Sequence, residues 1–453
     1  MAKAKLTEGS VFGTIIRLAF PMLFGMFSIV MYNLADTFFV GKLGKIELAA
    51  ISFTFPVVSI LASLAFGLGI GASSLVSTAI GSGDNSTVKR LTSDVLLLAV
   101  IIAVIFSIAG YFTIVPLFTL LGAKGKVLEL VTQYMKIWYL GAGFVVIPMV
   151  GNNVIRATGD TKSPAIIMSV SGIVNVILDP LLIFGISIFP EMGIRGAALA
   201  TVIARSTTCI VSLNILIFRE KILCLKYKSL SVIIESWKKI LYIGVPEAFT
   251  RIVMPLANGF ITRMVAGYGT AAVAGFGVAS RVEFFILLPI FAVGSVIAPF
   301  TGQNLGAGKL DRVKKAIHFS WIYSILCGIS IYLFLFLFSD KIAAIFNPSQ
   351  EVVDSASMYM RLVSPGYGFY GIVMVVAGVL NVFRRPLLAS FMNLLQMIII
   401  YLPLAYILSA YLGLKGIYLS RTFAFIVSSI VGIIFLTKVV NNAISIRDKE
   451  FNS

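Results

Sequence analysis

Twelve apolar stretches, each long enough to cross a bilayer as a helix, dominate the 453-residue sequence. A helix that crosses the roughly 30 Å hydrocarbon core needs about 20 mostly apolar residues. The composition agrees, because 59% of the residues are hydrophobic and 12% are charged, whereas soluble domains carry about 25% charged residues. The sequence therefore predicts an all-α membrane protein with about twelve transmembrane helices. They lie near residues 14–38, 48–79, 92–119, 128–151, 164–187, 196–218, 239–263, 272–301, 316–338, 355–380, 386–410 and 416–439.

Positive charge is concentrated in the connections on one side of these helices. With the N-terminus taken as cytoplasmic, that side has more than twice as many Lys and Arg residues as the other, which places both termini in the cytoplasm by the positive-inside rule. The net charge of +17 is then mostly an orientation signal, and we expect no nucleic-acid partner. The first stretch follows "MAKAKLTEGS" without a small-residue cleavage motif, which predicts a retained helix.

The second half of the chain repeats the first at an offset of about 225 residues. Each half has about six predicted helices, so both enter the membrane from the same side and form two bundles related by an axis along the membrane normal. We expect an N-lobe six-helix bundle over residues 1–218, a cytoplasmic linker over 219–238 and a C-lobe six-helix bundle over 239–453. The matched positions are Pro21 with Pro246, Gly44 with Gly269, Gly83 with Gly308, and Gly193 with Gly413.

Two carboxylates stand in apolar stretches without a cation at helical spacing. Asp36 follows Tyr32 by four residues and Asp179 follows Asn175 by four, so each has a polar neighbour one turn away. An ionisable group at bilayer depth costs at least about 2.5 kcal/mol, which makes a functional role the default hypothesis. The alternative is structural: Asp36 as a solvated helix end, and Asp179 bonded to Asn175. Pro180 removes a backbone donor beside Asp179 and can loosen that helix.

The second half has no acid at the matching positions, since Ile261 corresponds to Asp36 and the stretch around Leu402 and Pro403 corresponds to Asp179 and Pro180. This asymmetry favours the functional interpretation, because acids needed for folding should recur in both bundles. Other charges look paired. We expect ion pairs within Glu247–Arg251 and within Arg281–Glu283, from their spacing along the chain.

Glycines and weak motifs have structural interpretations. Gly67 and Gly71, in "GLGIG", have the small-xxx-small spacing of closely packed helices. The stretch "GQNLGAGK" from Gly302 lacks the Ser or Thr of a phosphate loop, and we expect a turn at a helix end. Metal-ligand or catalytic spacing is missing from the sequence, so we expect neither an enzyme nor a bound cofactor. The three cysteines fit packing positions.

Several motifs together resemble the multidrug and toxic compound extrusion (MATE) transporters, in their prokaryotic DinF-like branch. They are "YNLADTFFVGKLG", "NNVIRATGDTKSP", "NVILDPLLIFG", "GIRGAALAT", "ASRVEFFILLP" and "GQNLGAG". The resemblance covers nearly the whole chain. It implies twelve helices in two lobes, and export of amphipathic, usually cationic compounds against protons or sodium across a prokaryotic cytoplasmic (inner) membrane.

The resemblance also implies which residues do this. An N-lobe polar network for proton or cation coupling would contain Asp36, Asn175, Asp179 and Thr201, with Tyr32 and Asn152 as further members. Candidate substrate contacts are Tyr134, Tyr139, Met31 and Met149. The tenth helix, "SPGYGFYGIVMVVAGVL", has no acid, which argues against the C-lobe sodium site of some relatives.

From this we expect a proton-coupled exporter of cationic drugs, a monomer in the lipid bilayer. Alternatives remain open. The oxygens of Asp36, Asn175, Asp179 and Thr201 would equally suit Na⁺, a lipid-linked oligosaccharide flippase shares the repeat, and a channel would pass current without counter-ion exchange.

Overall fold

The computed structural model describes residues 4–224 and 229–452, with side chains described up to residue 446, and these residues are almost entirely helical. The first half contains α1 (Val11–Leu43), α2 (Lys45–Gly81), α3 (Asn85–Leu120), α4 (Gly125–Leu140), α5 (Gly143–Ala157), α6 (Lys162–Phe184) and α7 (Ile194–Asn214), which continues as a π-helix (Ile215–Arg219). The second half contains α8 (Leu230–Ala266), α9 (Thr270–Ile286), α10 (Leu288–Gly306), α11 (Leu310–Phe346), α12 (Gln350–Val363), a 3₁₀ turn (Ser364–Gly366), α13 (Tyr367–Val382), α14 (Pro386–Leu394), a π-helix (Leu395–Tyr401), α15 (Leu402–Leu412) and α16 (Leu414–Asn452).

The number of membrane-crossing helices agrees with the sequence. Among the described residues, 11 helices are long and apolar enough to cross a membrane, or 12 if α4 and α5 form one span bent by 49°. That bent pair corresponds to the predicted stretch 128–151. The predicted stretch 272–301 is also broken, because α9 ends at Ile286 and α10 begins at Leu288. The fold class is confirmed.

Repeat-related glycines lie between helices at equivalent places in the two halves. Gly44 and Gly269 precede α2 and α9, with φ of 152° and 104°. Glycine adopts such angles without the steric penalty of a Cβ atom. The pairs predicted from the sequence thus share a backbone conformation as well as a register: Gly83 and Gly308 have φ of 75° and 71°, and Gly193 and Gly413 have φ of 55° and 59°.

Two compact units divide the described residues, and their boundaries fall inside helices. The N-terminal unit contains Phe20–Ala248, and the C-terminal unit contains Leu6–Ala19 together with the chain from Phe249 onward. The start of α1 thus belongs to the C-terminal unit and the start of α8 to the N-terminal one, which differs from the sequence-based boundaries at 218 and 239. Residues 225–228 of the predicted linker lie outside the described part.

In the N-terminal unit, α2 and α8 cross at glycines. A Cβ atom added to Gly67 would lie 2.3 Å from the carbonyl oxygen of Gly244, and one added to Gly71 would lie 2.5 Å from that of Ile240. The two backbones therefore touch with no side chain between them. The close packing predicted for Gly67 and Gly71 is confirmed.

In the C-terminal unit, Arg312 of α11 holds the segment that precedes α1. Its guanidinium donates to the carbonyl oxygens of Leu6, Glu8 and Gly9, at 3.3, 3.0 and 2.7 Å. The Leu6 amide in turn donates to Gln303 Oε1 at 3.0 Å. The "GQNLGAGK" stretch is thus the predicted turn at a helix end, and it anchors the N-terminal segment.

Candidate functional site

Asn175 and Asp179 form a buried pair on α6. They lie four residues apart, one helical turn, and Asn175 Nδ2 donates to Asp179 Oδ1 at 3.2 Å. Both residues have 0% exposure. The amide is the only donor that the described residues offer to this carboxylate, so it has none of the ion pairing that usually accompanies a buried charge.

Helix α1 runs alongside α6 and brings Asp36 to this pair. Ser28 Oγ and Ser169 Oγ are 2.9 Å apart. One turn later, Gly172 of α6 lies beside Tyr32 of α1, and a Cβ atom added to Gly172 would lie 3.7 Å from the Tyr32 Cβ atom. The numbers rise together along both helices, so the helices are parallel. Asp36, one turn beyond Tyr32, therefore lies level with the pair on α6.

Helix α7 runs back along α6 and supplies a hydroxyl. A Cβ atom added to Gly196 would lie 2.3 Å from the Leu182 carbonyl oxygen, and further along Ser171 Oγ donates to the Ala204 carbonyl oxygen at 3.1 Å. Thr201 lies between these two contacts, on the stretch of α7 that faces the Asn175–Asp179 turn.

Two tyrosines and an arginine complete the surroundings of Thr201. The phenol groups of Tyr32 and Tyr134 both approach the Thr201 hydroxyl, although neither has the geometry of a formed hydrogen bond. The Arg205 guanidinium lies over the Tyr32 ring, 5.2 Å from its centroid, close enough to act electrostatically on Asp36. Sequence reasoning did not assign Arg205 to this cluster. The sequence signal that could have placed it is its spacing, because Arg205 follows Thr201 by four residues and so lies on the same face of α7.

This cluster keeps an unusual number of unbonded oxygens. Four buried oxygens have no hydrogen-bond partner among the described residues: Asp36 Oδ1, Asn175 Oδ1, Asp179 Oδ2 and Thr201 Oγ1. A buried polar atom left unpaired costs about 1–3 kcal/mol. Oxygens of carboxylate, amide and hydroxyl groups suit a small hard cation, and a carboxylate also binds a proton. Across the described side chains, no group of three or more His, Cys, Asp or Glu residues forms a conventional metal site.

Asn152 lies away from these oxygens. It follows Gly151, where an added Cβ would be 2.5 Å from Ser212 Oγ. Ser212 is eleven residues beyond Thr201 on α7, a rise of about 16 Å. The structure therefore does not place Asn152 in the predicted network.

The four predicted substrate contacts have different environments. Tyr134 is buried beside Thr201. Tyr139 is 1% exposed and packs edge-on to Trp138 and against Gly110, which makes it a core residue. Met149 is half-buried against the same core, and Met31 is 44% exposed on α1. The structure thus places only Tyr134 at the polar cluster.

The expected Arg281–Glu283 pair is wrong. Glu283 Oε1 accepts from Arg421 Nη2 at 2.6 Å, whereas Arg281 is exposed on α9. Residues two apart on a helix point in different directions, and no sequence pattern indicated that α16 would supply the cation. Pairing of Glu247 with Arg251 stays a prediction.

The loop between α5 and α6 is tied to the end of α7. Asp160 accepts from Arg219 Nη2 and from Ser163 Oγ, the second at 2.6 Å. Burial alone would raise the pKa of Asp160, but the hydrogen bonds from Ser163 and Arg219 outweigh it and hold this pKa below its usual value. The "NNVIRATGDTKSP" motif thus holds the N-terminal end of α6, the helix that carries Asp179.

Comparison with known proteins shows what these two units are. A family model described as MatE matches residues 21–181 and 246–407, and the two matched segments begin at the repeat-related prolines. The chain belongs to the MATE family. Its members are transporters and not enzymes, as the sequence predicted.

Relatives of this MATE protein are named for different functions. It is 39% identical over 406 residues to a protein of Shewanella oneidensis named as an FAD transporter, which covers 90% of each chain. It is 26% identical over 393 residues to the probable multidrug resistance protein YoeA of Bacillus subtilis, covering 85% of this chain and 84% of that one.

A crystal structure of the Vibrio cholerae MATE transporter VcmN in its bent form has the same fold. The TM-score is 0.90, the identity 26%, and the match covers 96% of this chain and 98% of that one. This MATE protein is therefore a multi-pass membrane transporter with bacterial relatives.

Proposed function

We propose that this MATE protein is a proton-coupled exporter in which Asp36 and Asp179 carry the coupling protons. One observation carries the proposal: α1 and α6 bring two carboxylates together at bilayer depth, among unbonded oxygens, with no ion pair in the described residues. Two such carboxylates are costly as anions. Binding of a cation lowers that cost, and a proton is the smallest one available.

The arrangement suggests how loading would alter the unit. Asp36 is on α1 and its neighbours are on α6 and α7, so neutralising the carboxylates removes a repulsion between helices. Asn175 can orient its amide to donate to an ionised Asp179 or to accept from a protonated one. The same unit therefore has one arrangement for the charged state and another for the neutral state, as antiport requires.

Sodium is the alternative coupling ion, since the four unbonded oxygens suit Na⁺ as well as a proton. Among the described residues, the groups around the four oxygens exclude neither ion. We favour the proton because a carboxylate pair with one amide and one hydroxyl supplies few ligands for a metal ion, which commonly takes six or more oxygens.

Two substrate classes follow from the relatives and from the sequence. Cationic amphipathic drugs are the class that the family resemblance implied, and YoeA is named for multidrug resistance. A flavin dinucleotide is favoured by the 39% identical relative named as an FAD transporter. The two substrate classes differ in charge, since the drugs are cations and a flavin dinucleotide carries negative phosphates. Measuring transport of one compound from each class therefore decides between them. We therefore test FAD first and a fluorescent cation second.

The experiment is efflux from proteoliposomes, driven by an imposed pH gradient or by a sodium gradient. We expect the pH gradient to drive efflux of one of the two substrates by the wild type. Asp179→Asn should remove this drive, whereas Asp94→Asn, which changes a buried carboxylate of the same unit outside the cluster, should keep it. Drive by sodium alone would reassign the oxygens to Na⁺, and an active Asp179→Asn protein would make Asp179 structural.

The cellular setting is part of the proposal. Positive-inside charge supports a prokaryotic cytoplasmic membrane with both termini in the cytoplasm, and we propose that the protein works there as a monomer. Accessibility of single cysteines placed at residues 9 and 83 to a membrane-impermeant reagent tests this orientation.

A further inference from the structure

The C-terminal unit has its own buried polar cluster, built around a charge pair. Arg421 Nη2 donates to Glu283 Oε1 at 2.6 Å and Arg421 Nη1 donates to the Tyr359 hydroxyl at 2.5 Å. The Tyr359 hydroxyl in turn donates to the other carboxylate oxygen of Glu283. The side chains of Arg421 and Glu283 are 19% and 9% exposed. The three groups therefore form a closed ring of charge-assisted hydrogen bonds.

Aromatic rings surround the guanidinium. Its central carbon lies 5.7 Å from the Tyr359 ring centroid, 6.0 Å from that of Tyr401 and 5.6 Å from that of Phe425. Cation–π attraction adds to the ion pair and favours the charged form of Arg421. The other titratable side chains near the pair are the phenols of Tyr367, Tyr370, Tyr401 and Tyr418. The next cation is Arg251, which acts electrostatically on Tyr370.

The internal repeat makes this cluster the counterpart of the site in the N-terminal unit. Tyr359 matches Tyr134 at the offset of 225, within the shared triplets "YMK" and "YMR" of α4 and α12. Arg421 matches Thr201 at the offset of 220 that pairs Gly193 with Gly413. In both units the tyrosine approaches the residue supplied by the later helix. The two clusters are therefore equivalent places in a duplicated structure.

What differs is the source of positive charge. The N-terminal unit has carboxylates and unbonded oxygens at this place, with Thr201 as a neutral neighbour. Its nearest cation, Arg205, lies over the Tyr32 ring and makes no ion pair with Asp36 or Asp179 among the described residues. The C-terminal unit has a covalently attached cation there, and its carboxylate, Glu283, stands where the first repeat has Val58. A guanidinium stays charged at any pH that a protein tolerates, so this place cannot alternate between charged and neutral forms.

We infer that Arg421 is a built-in cation that permanently compensates Glu283 and fixes the C-terminal unit, so that protons load only in the N-terminal unit. Arg421 is thus a positioning residue. This inference rests on the proposed proton coupling in the N-terminal unit.

Infrared spectroscopy of the purified protein tests it without transport. Protonated carboxylic acids have a C=O stretch that carboxylates lack, and Glu283→Gln should leave the pH-dependent part of this band unchanged from the wild type. Arg421→Met should add a new protonated-acid band at neutral pH, because Glu283 then has no counter-ion and must bind a proton. The double variant Glu283→Gln/Arg421→Met should lack the new band, and Arg421→Lys should not produce it.

Two results would overturn the inference: a titrating band in the wild type that Glu283→Gln removes, or no new band in a folded Arg421→Met protein. Should Arg421→Met fail to fold, the comparison of Glu283→Gln with the wild type still decides. The spectra can be recorded in an Asp36→Asn/Asp179→Asn background, so their outcome does not depend on whether the N-terminal unit couples to protons.

Transport gives a second readout. Proton-driven efflux by the double variant should stay within about threefold of the wild type, since both charges are removed together and none is left unpaired. Arg421→Met alone should reduce efflux by tenfold or more, on the order of the effect of breaking a buried ion pair. Loss of the pH dependence of efflux in the double variant, with Asp179 intact, would place Glu283 in the coupling machinery and contradict the inference.

Discussion

Substitution of Gly67 by alanine should separate two helices that touch through their backbones. The added Cβ would lie 2.3 Å from the Gly244 carbonyl oxygen and 2.9 Å from Ala248 Cβ, whereas ordinary contacts begin at 3.4 Å. The atom struck is backbone, so no side-chain rotation relieves it, and α2 and α8 must move apart by about 1 Å. Overpacking of this kind costs about 1–3 kcal/mol. That corresponds to a fall of about 2–10 °C in Tm for a unit of this size.

The assay is thermal unfolding in detergent, with Gly259→Ala as the matched control. Gly259 is on the same α8 helix, but an added Cβ would meet nothing within 4 Å. Alanine is the better helix former by about 1 kcal/mol, so the control should keep or slightly raise the Tm. Equal Tm values for Gly67→Ala and Gly259→Ala would refute the argument that this crossing depends on glycine.

Three further changes test contacts outside the coupling site. Arg312→Ala should speed hydrogen exchange at the Leu6 amide by tenfold or more, because hydrogen bonds to a charged group contribute about 1.5–3 kcal/mol each. Asp160→Asn should lower the Tm by an amount that is constant above about pH 4, the ordinary pKa of an aspartate, and that vanishes as the pH falls through the lowered pKa of Asp160. Trp237→Phe should cost about 1 kcal/mol by removing the hydrogen bond from Nε1 to the Asp94 carbonyl oxygen.

Two of these changes have a control variant from the same chain. Lys315→Ala removes an exposed cation from the same helix as Arg312 and should leave exchange at Leu6 unchanged. Trp321→Phe removes an indole N–H that has no partner among the described residues, and should cost less than Trp237→Phe. For Asp160, a Tm difference that does not diminish as the pH falls would show that the ion pair with Arg219 is not its source.

The sequence predicted the helices and their duplication because both depend on local patterns. Apolar length decides whether a helix crosses the membrane. The paired glycines have positive φ in both halves, and each pair lies at an equivalent turn between helices. Unit boundaries depend on contacts between distant segments, so the sequence could not show that Leu6–Ala19 belongs with the C-terminal unit.

The site was predictable only where neighbours share one helix. Asn175 and Asp179 are one turn apart, and their hydrogen bond follows from that spacing. For Asn152, the structure shows only that the preceding Gly151 packs against Ser212 of α7, a contact between distant segments that the sequence does not reveal. The partner of Glu283 was misjudged because Arg421 is 138 residues away along the chain.

Proton release on substrate binding is the most direct test of the central claim. Substrate is added to purified protein in weak buffer with a pH-sensitive dye, for the wild type, Asp179→Asn and the control Asp94→Asn. If the carboxylates of α1 and α6 exchange protons for substrate, the wild type and Asp94→Asn should release protons and Asp179→Asn should release fewer or none. Equal release by Asp179→Asn, or substrate binding by the wild type with no release at any pH from 5 to 9, would contradict the account.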